Sequence, residues 1–172
     1  MSGRRRTGRP AFWVAFLGLA LLSLSGQRCP AGEDTPRREA SVFFETTLTL
    51  QDSTGKATTQ FDAGEPMTLI MAIRNRTDTP RSIMRPSSQS YDCSVSTAEG
   101  REVWRWSKGV MFAQVITELK LAPGETKSYS QVWDQKADDG TMIPAGRYRA
   151  IGLIPVDAPG THSAPIVFTI RP

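Results

Sequence analysis

A single histidine is the only imidazole that this 172-residue sequence offers for catalysis or metal binding. His162 lies in a Pro-Gly-Thr-His-Ser segment, which is typical of a solvated loop. A Ser-His-acid triad would have to use this residue, and a zinc site needs several His or Cys ligands in a recognisable spacing. The sequence has no G-x-S-x-G, H-E-x-x-H or C-x-x-C motif and no Gly-rich phosphate loop. We therefore predict a protein that is not an enzyme and carries no cofactor and no metal.

Three carboxylates are grouped in the segment 134–140, which reads Asp-Gln-Lys-Ala-Asp-Asp-Gly. Carboxylate oxygens are the ligands that calcium prefers, but the spacing departs from an EF-hand loop and Lys136 adds an opposing charge. A turn capped by Asp side chains is the simpler interpretation, and calcium binding is the alternative.

The two cysteines are Cys29 and Cys93. Arg28 stands before Cys29, where a lipid-attachment motif needs a small residue, so lipidation is the minor hypothesis. A Cys29–Cys93 disulfide is allowed in an oxidising compartment if Cys29 is retained, and otherwise Cys93 is a single thiol. Cys93 alternates with Tyr91 and Val95, which predicts a small buried apolar side chain.

The charge of the chain is concentrated at its amino terminus. Five of the 21 basic residues fall within residues 1–31, which contain no acidic residue, so 16 basic and 17 acidic residues remain. This near-neutral remainder argues against a nucleic-acid partner. Four arginines precede an apolar run at 11–22, which predicts a signal peptide over 1–31, with an uncleaved membrane anchor as the alternative. We predict an extracytoplasmic location, secreted or periplasmic, and membrane contact only through this segment.

After a polar linker at 32–40, residues 41–172 read as one domain built from short strands. Apolar runs with a period of two lie at 42–50, 57–61, 67–74, 81–84, 91–96, 102–106, 115–121, 126–133, 147–154 and 164–170, separated by turn residues. About eight strands without a helical pattern predict an all-β antiparallel sandwich, with a barrel as the alternative. The Ala-Pro-Gly-Glu segment at 122–125 predicts a hairpin between the strands on either side of it.

The stretch 91–114 predicts another hairpin, whose second strand carries two tryptophans. Trp104 and Trp106 share one face of that strand and Arg105 lies on the other. Alternating aromatic residues in strands are usually core residues, whereas a carbohydrate or peptide platform is the alternative. The aromatic set is Tyr91, Trp104, Trp106, Phe112, Tyr129, Trp133 and Tyr148.

Several short motifs of this region occur together in a known family. They are a Tyr-Asp pair, Glu-Val-Trp-Arg-Trp-Ser, Met-Phe, a Gln, Leu-x-Pro-Gly-Glu, Trp-Asp and Pro-x-Gly-x-Tyr. With these motifs, residues 46–153 resemble the bacterial intracellular proteinase inhibitor (BsuPI) family. The resemblance implies an immunoglobulin-like β-sandwich that inhibits serine proteinases. The motif residues it marks as structural are Tyr91, Asp92, Trp104, Trp106, Gln114, Trp133, Asp134, Gly140, Pro144, Gly146 and Tyr148.

Our leading hypothesis is an exported, non-enzymatic β-sandwich that binds and inhibits a proteinase. A rigid loop presented to an enzyme cleft limits the entropy lost on binding, and the loop of residues 107–112, after the second tryptophan, is the first candidate. The residues predicted to bind a partner are Arg105, Ser107, Lys108, Met111 and Phe112, with the 134–140 loop as the second candidate. The alternative is a cell-envelope module that binds a protein or glycan without inhibition. Export would exclude an intracellular proteinase as the partner.

Overall fold

The computed structural model describes residues 43–172, and the regular structure within them consists of β-strands. The predicted signal segment 1–31, the linker 32–40 and Cys29 lie outside the described residues. The strands are β1 Phe44–Gln51, β2 Gln60–Asp62, β3 Met67–Asn75, β4 Arg81–Arg85, β5 Asp92–Thr97, β6 Glu102–Arg105, β7 Thr117–Leu121, β8 Thr126–Trp133, β9 Gly146–Leu153 and β10 Ile166–Arg171.

The described strands form three sheets. Five strands pair in the order β2-β10-β9-β5-β6, three in the order β1-β3-β8, and β4 pairs with β7. Pairing is antiparallel except between β2 and β10, which are parallel. In β3 the side chains of Met67, Leu69, Met71 and Ile73 are fully buried, as the period of two predicts.

The three-stranded and five-stranded sheets pack face to face. Trp133 of β8 meets Phe168 of β10 edge-on at 6.3 Å between ring centroids. A Cβ atom at Gly152 of β9 would lie 2.9 Å from Cγ of Met71 in β3, so only glycine allows this close approach. These contacts confirm the prediction of an all-β sandwich. The immunoglobulin-like topology that the resemblance implies stays a prediction.

The predicted hairpin around 122–125 is wrong. β7 pairs with β4 and β8 pairs with β3, so the turn carries the chain from one sheet to another. Asn75, at the end of β3, is buried and holds the turn in place: its Nδ2 donates to the carbonyl oxygens of Leu121 at 3.1 Å and Ala122 at 3.0 Å. A Pro-Gly turn fixes the local chain direction only, and the strands on either side of this turn pair with strands that are distant in sequence.

The start of β7 also differs from the prediction. The β-branched Val115 and Ile116 predict strand, but β7 begins at Thr117, which pairs with Arg85 at the end of β4. Pro86 follows Arg85 and stands where the partner of Ile116 would be. Because proline has no backbone N–H, the ladder ends there. Val115 and Ile116 are therefore left exposed.

Cys93 is fully buried in the core, as its alternation with Tyr91 and Val95 predicts, and its thiol is free. Burial, with the nearby Asp92 carboxylate, raises the pKa of the Cys93 thiol to about 12. The thiolate is the form that reacts with alkylating reagents.

We expect iodoacetamide at about pH 8 to leave Cys93 unmodified in the native chain and to modify it fully in denaturing urea. Peptide mass spectrometry measures both states, and Cys29, which lies on a different tryptic peptide, does not interfere. Rapid modification of native Cys93 would contradict a buried, protonated thiol.

Candidate functional site

Asp92 is a buried carboxylate at the start of β5 that holds the chain after β6. Its Oδ2 accepts a hydrogen bond from Ser107 Oγ at 2.7 Å and from Arg105 Nη1 at 2.9 Å. Its Oδ1 accepts from the backbone N–H of Cys93 at 2.9 Å and of Ser107 at 3.2 Å. Four donors on one buried carboxylate compensate for its desolvation. The Tyr-Asp and Trp-Arg-Trp-Ser motifs thus meet at one point.

Arg105 is engaged within the molecule on two sides. Besides Asp92, its guanidinium contacts Glu102, with Nε 3.1 Å from each carboxylate oxygen. The hydrogen bonds to Glu102 and Asp92 raise the pKa of Arg105, which keeps the group charged. Only a third of the side chain is exposed, so its main role in the structure is to hold Asp92 and Glu102 together.

Lys108 makes an ion pair at the beginning of the loop that follows β6. Its Nζ lies 2.9 Å from Oδ2 of Asp138, and this interaction raises the pKa of the lysine. Asp138 also accepts a hydrogen bond from the backbone N–H of Arg105 at 3.0 Å and donates its own N–H to Val103 O at 3.0 Å. The 134–140 segment therefore covers the free edge of β6, which would otherwise expose unpaired backbone groups.

A row of four aromatic rings, three of them stacked and the fourth tilted, supports the loop that follows β6. Tyr91 lies between Tyr129, at 4.9 Å, and Trp106, at 4.4 Å between ring centroids. Phe112 packs on the outer side of Trp106 at 5.7 Å. The stack joins Phe112 to the body of the domain, and such pairs stabilise beyond the area they bury.

The other motif aromatics lie in the core of the sandwich or, in the case of Trp104, pack against it half-buried. Trp104 stacks on Trp133 at 5.4 Å, and Trp133 Nε1 donates to Lys136 O at 2.8 Å. Tyr148 donates its hydroxyl to Pro144 O at 2.7 Å, which accounts for two positions of Pro-x-Gly-x-Tyr, while Gly146 begins β9. Each ring of the aromatic set is buried or half-buried.

The segment of residues 107–116, which we call the 107–116 loop, is exposed and largely apolar. Met111 is 95% exposed, Ile116 75%, Val115 52% and Val110 45%. Besides the anchor at Ser107, the backbone is fixed at Ala113 by Ser88, whose N–H donates to Ala113 O at 2.9 Å and whose Oγ accepts from Ala113 N at 3.0 Å. Gln114 donates from its side chain to Phe112 O at 3.3 Å. Val110 and Met111 thus lie in an exposed apolar segment that is held at Ser107 and at Ala113, which is the form of a binding loop.

The carboxylates of the 134–140 segment point to separate partners. Asp134 pairs with Lys136 Nζ at 2.8 Å, and Asp139 accepts from Thr141 Oγ1 at 2.6 Å and Thr141 N at 2.9 Å. These contacts lower the pKa of Asp134 and of Asp139. Gly140 has a φ of 83°, which the turn requires. Within residues 43–172 no group of three or more His, Cys, Asp or Glu side chains is placed to hold a metal.

Gln135 is the residue of this region whose role the sequence did not indicate. It is fully buried and has a φ of 60°, unusual for a residue other than glycine. Its Nε2 donates to Asp62 O at 2.9 Å and to Glu65 O at 2.8 Å, and its Oε1 accepts from Gly64 N at 2.9 Å. A glutamine in a polar segment predicts an exposed side chain, so no local signal marks it.

The fold and the loop together define a β-sandwich domain with a fixed, exposed apolar loop. A family model described as "Intracellular proteinase inhibitor" (BsuPI) matches residues 52–158. The chain belongs to this family, which confirms the resemblance. A search of curated proteins found no match.

Among solved structures, three examples show how distant the similarities are. A Pseudomonas fluorescens alkylpurine DNA glycosylase is 12% identical, with 74% of this chain and 31% of that chain covered and a TM-score of 0.43. A Listeria innocua β-glucosidase is 12% identical over 73% and 16%, with a TM-score of 0.39. The CARDB domain of a Pyrococcus furiosus protein is 13% identical over 75% and 90%, with a TM-score of 0.39. At these scores none of them bears on function.

The family description corrects the predicted location. An extracytoplasmic location, whether secreted, periplasmic or anchored, is wrong because the family is described as an intracellular proteinase inhibitor. The prediction depended on the charge and apolar pattern of residues 1–31, which lie outside the described residues. The exclusion of an intracellular proteinase and the cell-envelope alternative depended on the same location and fall with it. No helix within residues 43–172 is long and apolar enough to span a membrane.

Proposed function

We propose that this protein binds a serine proteinase through the 107–116 loop and inhibits it, without catalysing a reaction itself. Membership of a proteinase inhibitor family supports a proteinase as partner. The serine class comes from the family resemblance. The observation that carries the proposal is Met111, almost completely exposed between two fixed points of the backbone.

The anchors favour tight binding because they reduce the conformational entropy that the loop loses when it binds a partner. On one side Ser107 is held by Asp92, and on the other Ala113 is held by Ser88. Phe112, packed on Trp106, restrains the residue next to Met111. A binding segment already held near one conformation loses less entropy on association than a free one.

The five residues predicted to bind a partner have three roles in this proposal. Arg105 and Ser107 position the loop, since their polar groups are satisfied inside the molecule. Met111 contacts the proteinase, and Phe112 supports it at the edge of the contact. Lys108 stays paired with Asp138 at the rim, where a charge influences the association rate more than the affinity.

Two valines with nearly equal exposure allow a matched test. Val110 is 45% exposed in the loop, and Val167 is 44% exposed on β10, which is separated from β6 by β9 and β5. We expect the full-length chain to slow substrate turnover by a subtilisin-like or chymotrypsin-like enzyme. Val110→Asp should raise the inhibition constant by about 10-fold or more because it places a carboxylate in an apolar contact. Val167→Asp should leave the inhibition constant unchanged.

Two results would contradict the proposal. One is rapid digestion of the chain with no slowing of turnover by any serine proteinase tested. The other is an equal effect of the two aspartate variants, which would remove the loop from the interface. Thermal unfolding of both variants shows that each is folded at the assay temperature.

A further inference from the structure

The exposure of the methionines differs sharply along the described chain, and the most exposed one lies at the centre of the 107–116 loop. Met111 is 95% exposed, Met84 59% and Met142 50%, whereas Met67 and Met71 are fully buried. A thioether is oxidised by peroxides at a rate that follows its accessibility. Met111 is therefore the methionine of residues 43–172 that a peroxide reaches most easily.

The surroundings of Met111 make its oxidation consequential. The exposed side chains near it in sequence, Val110, Val115 and Ile116, are apolar, and Lys108 is the one charged residue in 107–116. A partner that covers this surface takes the thioether out of water. A sulfoxide oxygen at the same place would be buried without a hydrogen-bond partner, which weakens binding.

We propose that Met111 is a modification site whose oxidation to methionine sulfoxide by a peroxide switches off proteinase binding. The inference rests on the proposed function. In the reaction one peroxide oxygen is transferred to Sδ of Met111, so the thioether is oxidised by two electrons and hydrogen peroxide is reduced to water. A methionine sulfoxide reductase reverses the step with two thiols, which become a disulfide as the sulfoxide oxygen leaves as water.

The buried Cys93 does not compete for the oxidant in the folded domain. Its thiol is protonated, because its pKa is raised to about 12, and it is inaccessible to solvent. Oxidation of Met111 therefore leaves the core intact, and the switch acts on the loop surface alone.

The first measurement is independent of any proteinase. Trypsin places Met111 alone on peptide 109–120, Met84 on 82–101 and Met142 on 137–147, so mass spectrometry separates the three rates in hydrogen peroxide. From the exposed fractions we expect Met111 to react about twofold faster than the other two and ~10-fold or more faster than Met67 and Met71. Slower oxidation of Met111 than of Met84 and Met142 would overturn the proposal.

The second measurement is the inhibition constant of the full-length chain before and after peroxide. Oxidation should raise the inhibition constant by about 10-fold or more, and methionine sulfoxide reductase with a dithiol should return it to its original value. Met111→Leu keeps an apolar side chain of similar volume that peroxide does not oxidise, so the inhibition constant of this variant should be the same before and after peroxide, although the variant retains Met84 and Met142.

The outcomes separate the two proposals. Inhibition that survives complete oxidation of Met111, or equal peroxide sensitivity of Met111→Leu, overturns the switch and leaves the inhibitor function standing. A chain that slows no serine proteinase even when reduced overturns the proposed function, and the switch with it, whatever the oxidation rates.

Discussion

Replacing Asp92 by alanine is expected to lower the free energy of unfolding by about 3 kcal/mol, a large effect for one side chain. The substitution removes the acceptor for the Ser107 hydroxyl, the Ser107 and Cys93 N–H groups and one side of the Arg105 guanidinium. Breaking a buried ion pair typically costs 3–5 kcal/mol, and we place this one at the lower end because Arg105 keeps Glu102 and is a third exposed.

Glu102→Ala is the matched control because it removes the other carboxylate from the same arginine. Glu102 is exposed, so we expect a loss below about 1 kcal/mol. Urea unfolding followed by tryptophan fluorescence measures both variants. Equal effects would contradict the assignment of Asp92 as the central acceptor.

Asp92→Ala also tests whether Asp92 positions the 107–116 loop. Without it the loop loses the anchor at Ser107 but keeps the one at Ser88. We expect the amide hydrogens of residues 107–110 to exchange faster in Asp92→Ala than in the native chain and those of β3 to change little, under conditions where both proteins stay folded. Unchanged exchange in this segment would mean that Phe112 and Ser88 hold the loop unaided.

Much of the fold follows from the sequence because it depends on local patterns. The alternation from Met67 to Ile73 gives β3 and its buried face, and Thr126–Trp133 is strand as predicted. Pairing is harder to infer. The turn at 122–125 has the composition of a hairpin, yet Asn75, 46 residues before Leu121, ties it to the end of β3. A contact at that distance leaves no signal in the turn itself.

The candidate site was located by its motifs, while the roles within it depend on register. A bulge between Val95 and Ser96 shifts the pairing of β5 with β6, so that Arg105 lies opposite Ser94 and reaches Asp92. A shift of one residue reverses which side chains share a face, and nothing in the sequence fixes where a bulge falls. Arg105 and Lys108 therefore looked free for a partner, whereas in the fold they are paired.

The exposed surface was underestimated for a related reason. Val115 and Ile116 have the composition of a strand, and composition does not reveal that Pro86 ends the neighbouring ladder. Their exposure follows from the absence of a paired neighbour. The apolar part of the 107–116 loop is thus longer than the predicted segment 107–112.

Gln135→Glu is expected to destabilise the domain by about 3–5 kcal/mol at neutral pH, although it changes one NH₂ group to oxygen. The native amide donates to Asp62 O and Glu65 O and accepts from Gly64 N. A carboxylate keeps the last bond, but its second oxygen would face two carbonyl oxygens inside a fully buried site. Gln60→Glu, on the exposed face of β2, is the matched control and should cost less than about 0.5 kcal/mol.

The sign of the pH dependence distinguishes this cause from a simple loss of packing. Burial raises the pKa of the introduced carboxyl in the folded state above its unfolded value of about 4.3. Below that pH the group is neutral in both states, and its hydroxyl can donate to one of the two carbonyls. As pH rises the unfolded chain ionises first, so the deficit against the native chain grows from about pH 4 upward. Urea unfolding of both glutamate variants at about pH 4 and 7 measures this difference, and a deficit of Gln135→Glu that is the same at both values would contradict a buried carboxyl facing the carbonyls of Asp62 and Glu65.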